Sequence, residues 1–238
     1  VTLVTIMTNV MVVRLISAGA KMQNSLLLVD DEPNIQKSLT RLLRNEDYKI
    51  YTATSGGEAL DVLQQHPIKV VISDQRMPNM SGSQFLNQVK EKFPDTIRII
   101  LSGYADFQAV SDAINQGSIY KFLAKPWNND LLRAEIREAF NVQSIRQRNK
   151  QFSYLFASTI EAIVMSNAQG IIESVNPAFN YLTQFSTKQV RGKNISDFFI
   201  TATGLPISNA ILDETSDQEW HGELSCRQSD GELLPVWM

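Results

Sequence analysis

The chain has 238 residues, 43% of them hydrophobic, enough for one large domain or two small ones with cores of their own. Its formal net charge of −3 argues against a broad basic surface for nucleic acid. One cysteine, Cys226, excludes an intrachain disulfide and fits a reducing compartment, and His66 and His221 lie too far apart for a zinc site of ordinary spacing.

Residues 1–24 form an N-terminal extension. Their apolar patches are interrupted by Arg14, and they lack the basic start of a signal peptide and the unbroken length of a membrane span. Residues 1–21 read as a stretch upstream of a start at Met22; an ordered arm and a membrane-surface segment are the alternatives.

A regular alternation begins at Ser25. Leu26–Val29 is a short apolar strand ending on Asp30 and Asp31, and Pro33 suits the first turn of a helix carrying Ile35, Leu39, Leu42 and Leu43. Strands follow at Lys49–Ala53, Val70–Ser73, Ile97–Leu101 and Ile119–Leu123. Helices are expected over Gly57–Gln65, Ser81–Phe93 and Asp106–Gln116, and from about Asn128 onward. Short, nearly all-apolar strands alternating with helices predict a doubly wound α/β domain with a parallel sheet covered on both faces.

In such a sheet, sites form at the carboxyl ends of the strands. Asp30 and Asp31 end the first strand, Asp74 the third and Ser102 the fourth, while Lys125 lies just past the fifth. Each has an ordinary explanation alone, such as a helix cap, a turn or a surface loop. Together at the ends of the correct strands, they define one rim. Carboxylates gathered there repel unless a cation sits among them, and hard oxygen donors suit Mg²⁺. Asp74 could then attack a phosphoryl group, with the Lys125 ammonium offsetting charge and the Ser102 hydroxyl donating a hydrogen bond.

The stretches "LLLVDDEP", "VVISDQRMPNMSG", "IILSGY" and "YKFLAKPW" resemble the receiver domain of bacterial two-component response regulators, over residues 25–140. The resemblance implies a flavodoxin-like five-stranded parallel sheet. It implies that Asp74 accepts phosphate from a sensor histidine kinase, that Asp31, Asp74 and the backbone carbonyl of Arg76 bind Mg²⁺, and that Asp30 acts largely through water. Ser102 and Phe122 fall on the family's two switch positions, and Lys125–Pro126 on its cis peptide. Arg76 and Tyr104, both large, stand where they would shield an acyl phosphate from water.

The last helix reads on into a linker over residues 141–160. Val142, Ile145, Asn149, Phe152, Phe156, Thr159 and Ile163 follow heptad spacing, which predicts a two-stranded coil; Ile163 can equally start the next strand, and a single helix packed on its own chain is the alternative.

Residues 161–238 read as strands at Ala162–Ser166 and Ile171–Val175, then a short helix opened by Asn176 and Pro177. A helix-and-loop stretch runs to about Asp217, and a hairpin joins Glu219–Arg227 to Leu233–Met238 through "SDGE". "GIIESVNPAFNYLTQFS", "VRGKNISDF" and "WHGELSCRQSDGELLPVWM" resemble a PAS sensory domain, which implies an α+β fold. A PAS sheet has five strands, the last lying between the first and fourth, and only four are legible here. The expectation is therefore an incomplete antiparallel sheet in a fragment of a longer chain, unless another segment, residues 1–21 included, fills the gap. Ile195 stands where flavin photosensors of this family carry their reactive cysteine, and no histidine occurs between 178 and 220 to hold a haem. The PAS ligand is left unknown, with an empty, dimerising module as the default.

The resulting expectation is a cytoplasmic, non-enzymatic phosphorelay response regulator. It uses Mg²⁺, pairs as a homodimer through receiver and linker helix, and binds neither nucleic acid nor membrane directly. The alternatives are a larger enzyme with a cyclic-dinucleotide cyclase, phosphodiesterase or hybrid kinase domain after Met238, and a phosphorylation-independent PAS scaffold.

Overall fold

A computed structural model describes residues 2–6, 23–103, 117–201, 207 and 222–237; the helix expected over Asp106–Gln116, Tyr104 and His221 lie outside the described residues. The chain divides into two units, Ser17–Asn149 and Lys150–Met238 together with Val1–Ile16. Numbered along the chain, strand β1 (Thr2–Ile6) belongs to the second unit.

The first unit runs β2 (Asn24–Val29), α1 (Pro33–Leu43), β3 (Tyr48–Ala53), α2 (Gly56–Gln65), β4 (Val70–Asp74), α3 (Gly82–Lys92), β5 (Ile97–Ser102), β6 (Lys121–Ala124) and, as far as Asn149, α4 (Asn129–Ser158). Its five strands pair in parallel in the order β3-β2-β4-β5-β6, the doubly wound arrangement that the alternation of elements predicts. Alternate residues of each strand serve opposite faces. Leu27, Val29, Val71 and Ile100 pack with Ala59 and Leu63 of α2 and Phe85 and Val89 of α3. Leu26, Leu28, Val70 and Ile72 pack with Leu39 and Leu43 of α1 and Ile136 and Phe140 of α4. Burying each such side chain stabilises the fold by roughly 1.5–3 kcal/mol.

The helices start where the sequence supplies caps. Ser81 and Gln84 form a reciprocal capping box on α3, and Asn128 Oδ1 accepts from the backbone N–H groups of Asp130 and Leu131 at the start of α4. Helix α4 is continuous through Ser158. Among the described residues no helix is long and apolar enough to cross a membrane.

The second unit contains β7 (Ala162–Ser166), β8 (Ile172–Val175), α5 (Pro177–Thr183), α6 (Thr187–Val190), β9 (Phe199–Thr201), β10 (Glu223–Arg227) and β11 (Leu233–Trp237). Its core gathers Val164, Val175, Phe179, Ile195, Phe199, Leu224 and Cys226. Asn176 joins sheet to helix: its fully buried side chain accepts from the N–H groups of Ile163 and Phe179 and donates to the Glu161 carbonyl.

One feature differs from the sequence reading, and a second selects an alternative that it named. Phe199–Thr201, expected as helix or loop, is a strand paired antiparallel to β10. Three residues are too few to show a period, so the pairing alone defines them. The second feature concerns the edge of β7. Strand β1 pairs antiparallel with β7 over its whole length, on the side away from β8, giving the sheet order β1-β7-β8. This is the edge that the legible strands left open, and a segment from the N-terminal extension covers it. Deleting residues 1–6 is expected to speed backbone amide exchange along β7 while leaving β2 and β4 protected; equal protection of β7 in both proteins would refute the pairing.

Candidate functional site

The register of the parallel sheet decides what meets at its carboxyl rim. β2 and β4 are neighbours, with Val29 opposite Ser73, so Asp30 and Asp74 leave adjacent strand ends at the point where the strand order reverses. β6 pairs with β5, with Ser102 opposite Ala124, which delivers Lys125 to the same rim. The backbone N–H of Lys125 donates to the Ser102 carbonyl at 2.8 Å, and the Lys125–Pro126 peptide is cis.

Each carboxylate is held in the same way. Asp30 Oδ1 accepts from the Glu32 N–H at 2.9 Å, and Asp74 Oδ2 accepts from the Arg76 N–H at 2.9 Å. These are local turns in which a side chain binds its own backbone two residues on. The remaining oxygens converge on one cation: Lys125 Nζ lies 2.6 Å from Asp74 Oδ1 and 3.1 Å from Asp30 Oδ2. Asp30 is 2% exposed and Asp74 8%, so the ammonium compensates two nearly buried charges. Glu32, not Asp30 or Asp31, occupies the cap position of α1, which removes the simplest structural explanation of the Asp pair.

Burial pushes the Asp30 pKa above its ordinary value, with the Asp74 charge adding to the rise; the Glu32 N–H and Lys125 offset this only in part. Burial works against the charge on Lys125, but hydrogen bonds to Asp74 and Asp30, with their charges, outweigh it and raise its pKa. One ammonium therefore leaves the Asp30 carboxylate under-compensated. That deficit, in a set of hard oxygen donors, fits a divalent cation such as Mg²⁺, which needs only one or two carboxylates beside carbonyl oxygen and water. Among the described residues no three His, Cys, Asp or Glu side chains gather as a metal cage. The structure joins Asp30 and Asp74 directly, through Lys125, and leaves Asp31 half-buried beside them.

Ser102 is 1% exposed at the end of β5. Phe122, opposite Ile100, is half-buried against the core cluster of Leu27 and Val71. The Arg76 side chain is exposed.

Three supports were not found from the sequence. Gly82 approaches the end of β4 so closely that a Cβ there would lie 2.1 Å from the Asp74 carbonyl oxygen, so only glycine fits. Gln36 reaches from α1 to donate to the carbonyls of Asp30 and Ala53 at 2.7 and 2.8 Å, tying together the ends of β2 and β3. Gln75 Oε1 accepts from both the N–H and the hydroxyl of Ser83 at the start of α3. A polar residue on the apolar face of α1 was the available signal for Gln36; Gly82 and Gln75 gave none beyond their proximity to Asp74.

The raised pKa of Asp30 carries a sign. Folding favours its proton, so its ionised form lowers stability above the folded pKa. Asp30→Asn is expected to raise the melting temperature of the first unit by about 4 °C at pH 7. The advantage should shrink as pH falls through the raised folded pKa and be gone below the ordinary value of 3.8, where Asp30 is protonated in both states. Thermal scans across that range check it; a lower melting temperature at pH 7 would overturn it.

Residues 26–137 match the response regulator receiver domain family and residues 160–237 match a PAS domain family. The hydrogenase transcriptional regulatory protein HoxA of Cupriavidus necator is 33% identical over 159 residues, covering 67% of this chain and 33% of that protein. The chain thus spans about a third of the length of that relative. The crystal structure of an uncharacterised protein from Neptuniibacter caesariensis is 41% identical with a TM-score of 0.52, covering 53% of this chain and 93% of that one. The signal receiver domain of an HD domain-containing protein from Pseudomonas fluorescens is 34% identical with a TM-score of 0.50, covering 51% of this chain and 98% of that one. With a doubly wound five-stranded sheet and an Asp-Asp-Lys rim, the chain carries a response regulator receiver domain, followed by a PAS domain.

Proposed function

We propose that the protein is a phosphorelay response regulator in which Asp74 takes a phosphoryl group from a sensor histidine kinase. The observation that carries this reading is the Lys125 ammonium lying between Asp74 and Asp30 at the switch point of the sheet. In the transfer, an Asp74 carboxylate oxygen bonds to phosphorus as the phosphorus–nitrogen bond to the donor imidazole breaks, and the electron pair leaves with the imidazole. No general base is needed, because the nucleophile is already an anion. Lys125 offsets charge on the phosphoryl oxygens, and Ser102 donates a hydrogen bond to one of them. Mg²⁺ held by Asp30, Asp31, Asp74 and the Arg76 carbonyl would supply further charge compensation at those oxygens. The likeness to HoxA supports this receiver chemistry and, covering a third of that protein, no particular output.

The state of the rim has a path outward. The Lys125 N–H bond to the Ser102 carbonyl couples the ends of β5 and β6, and Phe122 lies on β6 three residues before Lys125. Ser102 drawn toward the phosphate, and Phe122 turning inward, would shift a two-state equilibrium that α4 passes on to the PAS module. Incubation with Mg²⁺ and acetyl phosphate is expected to add about 80 Da per chain. The gain should be absent in Asp74→Asn and in EDTA. A gain retained in Asp74→Asn would place the acceptor elsewhere.

The helix itself supports pairing of two chains. Ile145 is 56% exposed and Phe152 50%, with Asn149 exposed between them, and Phe152 stacks on Phe156 at 5.8 Å. The seam is shorter than the heptad spacing suggests. Val142 packs against the core of the first unit, and Ile163 belongs to β7. Apolar side chains on the remaining turns suit a second copy of the same helix. Phe152→Glu is expected to shift the protein toward monomer in sedimentation equilibrium without changing Asp74 phosphorylation. An unchanged oligomeric state would assign the pairing elsewhere.

A further inference from the structure

The amino-terminal end of the parallel sheet, opposite the phosphoacceptor rim, holds a cavity of about 690 Å³, within the size range of small-molecule sites. Lys49 and Tyr51 of β3, His66 after α2, Lys69 before β4, Lys92 at the end of α3 and Gln143 of α4 supply its polar lining. Three lysines and a histidine face one carboxylate, that of Asp95, so the walls favour an anion. The Arg98 guanidinium, which donates to the carbonyl of cavity residue Thr96 at 2.7 Å, adds positive charge at the same end of the sheet.

Two further observations narrow the ligand. The rings of Tyr51 and His66 lie 4.5 Å apart and 30° from parallel, an apolar and aromatic wall suited to a planar group. Gln143 is 6% exposed, and among the described residues its buried Oε1 has no hydrogen-bond partner, although its Nε2 lies 3.4 Å from Gln147 Oε1. A buried amide oxygen without a donor is unfavourable, and because Gln143 lines the cavity, a turn of its amide would offer that oxygen to a ligand N–H or O–H. We propose that this cavity is a binding site for a nucleoside phosphate. Its phosphates meet Lys49 and Lys92, its ring packs on the Tyr51–His66 wall, and a base or sugar donor satisfies Gln143. Gln143 and Gln147 both belong to α4, so the ligand holds the helix that leaves the receiver and gives it an input separate from Asp74.

The test is calorimetric titration of the full chain with ADP in EDTA, beside adenosine and pyrophosphate alone. ADP is expected to bind one per chain, more tightly than either part. Lys49→Ala with Lys92→Ala should weaken it at least about tenfold. Gln143→Leu should weaken it as well, while Asp74→Asn leaves it unchanged. Lys49 and Lys92 are exposed, so that variant tests the site even where Gln143→Leu fails to fold. No binding up to about 1 mM, binding unaffected by the lysine substitutions, or pyrophosphate binding as tightly as ADP would overturn the proposal. Because Asp74→Asn is a separate arm, failure here leaves the phosphoacceptor reading standing.

Discussion

The shared ammonium of Lys125 is the constraint on which the rest of the receiver depends. Two carboxylates that are nearly buried cannot stand at adjacent strand ends without a cation, and the Lys125 Nζ contacts at 2.6 and 3.1 Å supply it. Meeting that requirement fixes much of the architecture. β6 must pair with β5 for Lys125 to reach the rim, and β2 must lie beside β4 for one ammonium to serve both acids. The middle residues of β2, β4 and β5 are apolar, and their polar groups sit towards the strand ends. Gly82 and Gln36 then act as positioning residues. One lets α3 approach the Asp74 carbonyl closely, and the other holds the end of β2 against β3.

The charge balance at this rim is uneven, and the unevenness bears on switching. Burial, with a smaller push from the Asp74 charge, holds the Asp30 pKa above its ordinary value despite Lys125, and the two carboxylates share one ammonium. On the proposed reading, a phosphoryl group on Asp74 adds to that excess and competes with Asp30 for Lys125. Lys125 is bound through its backbone to Ser102, the residue that would donate to the phosphoryl group. A redistribution of contacts around Lys125 therefore reaches the ends of β5 and β6 without a long chain of intermediaries. Such short coupling through a packed sheet is what a bistable element requires.

The receiver was legible because its signal is local and repeated. Val70–Ser73 is an apolar run ending on a carboxylate, and the same pattern recurs at Leu26–Val29 with Asp30. A parallel topology turns those separate endings into one site. The features that stayed hidden depend on distant partners. Nothing in the neighbourhood of Gly82 says that a backbone carbonyl lies 2.1 Å from where its Cβ would be. The heptad rule marked Val142 as a seam residue, but an apolar helix position looks the same whether it faces a second chain or its own core. Thr2–Ile6 is apolar enough to be a strand, yet its partner β7 lies at the far end of the chain. The open edge of the PAS sheet could be inferred from a count of strands, and residues 1–21 could be named as one candidate to cover it; the register with β7 could not.

Helix α4 gathers these arguments into one element. Its first half is receiver core, with Leu132, Ile136, Ala139 and Phe140 buried against the sheet. Gln143 then reaches the basic cavity, and beyond it Ile145 and Phe152 are exposed. Burial, cavity lining and exposure follow in sequence along one continuous helix, so on the proposed reading a change in how its first half packs would alter the direction in which its exposed residues point. A helix propagates such a rotation because its backbone hydrogen bonds resist local distortion, and no break interrupts it before Ser158. The element that completes the receiver core is also the element that leaves it, which is what the proposed reading requires of a lever.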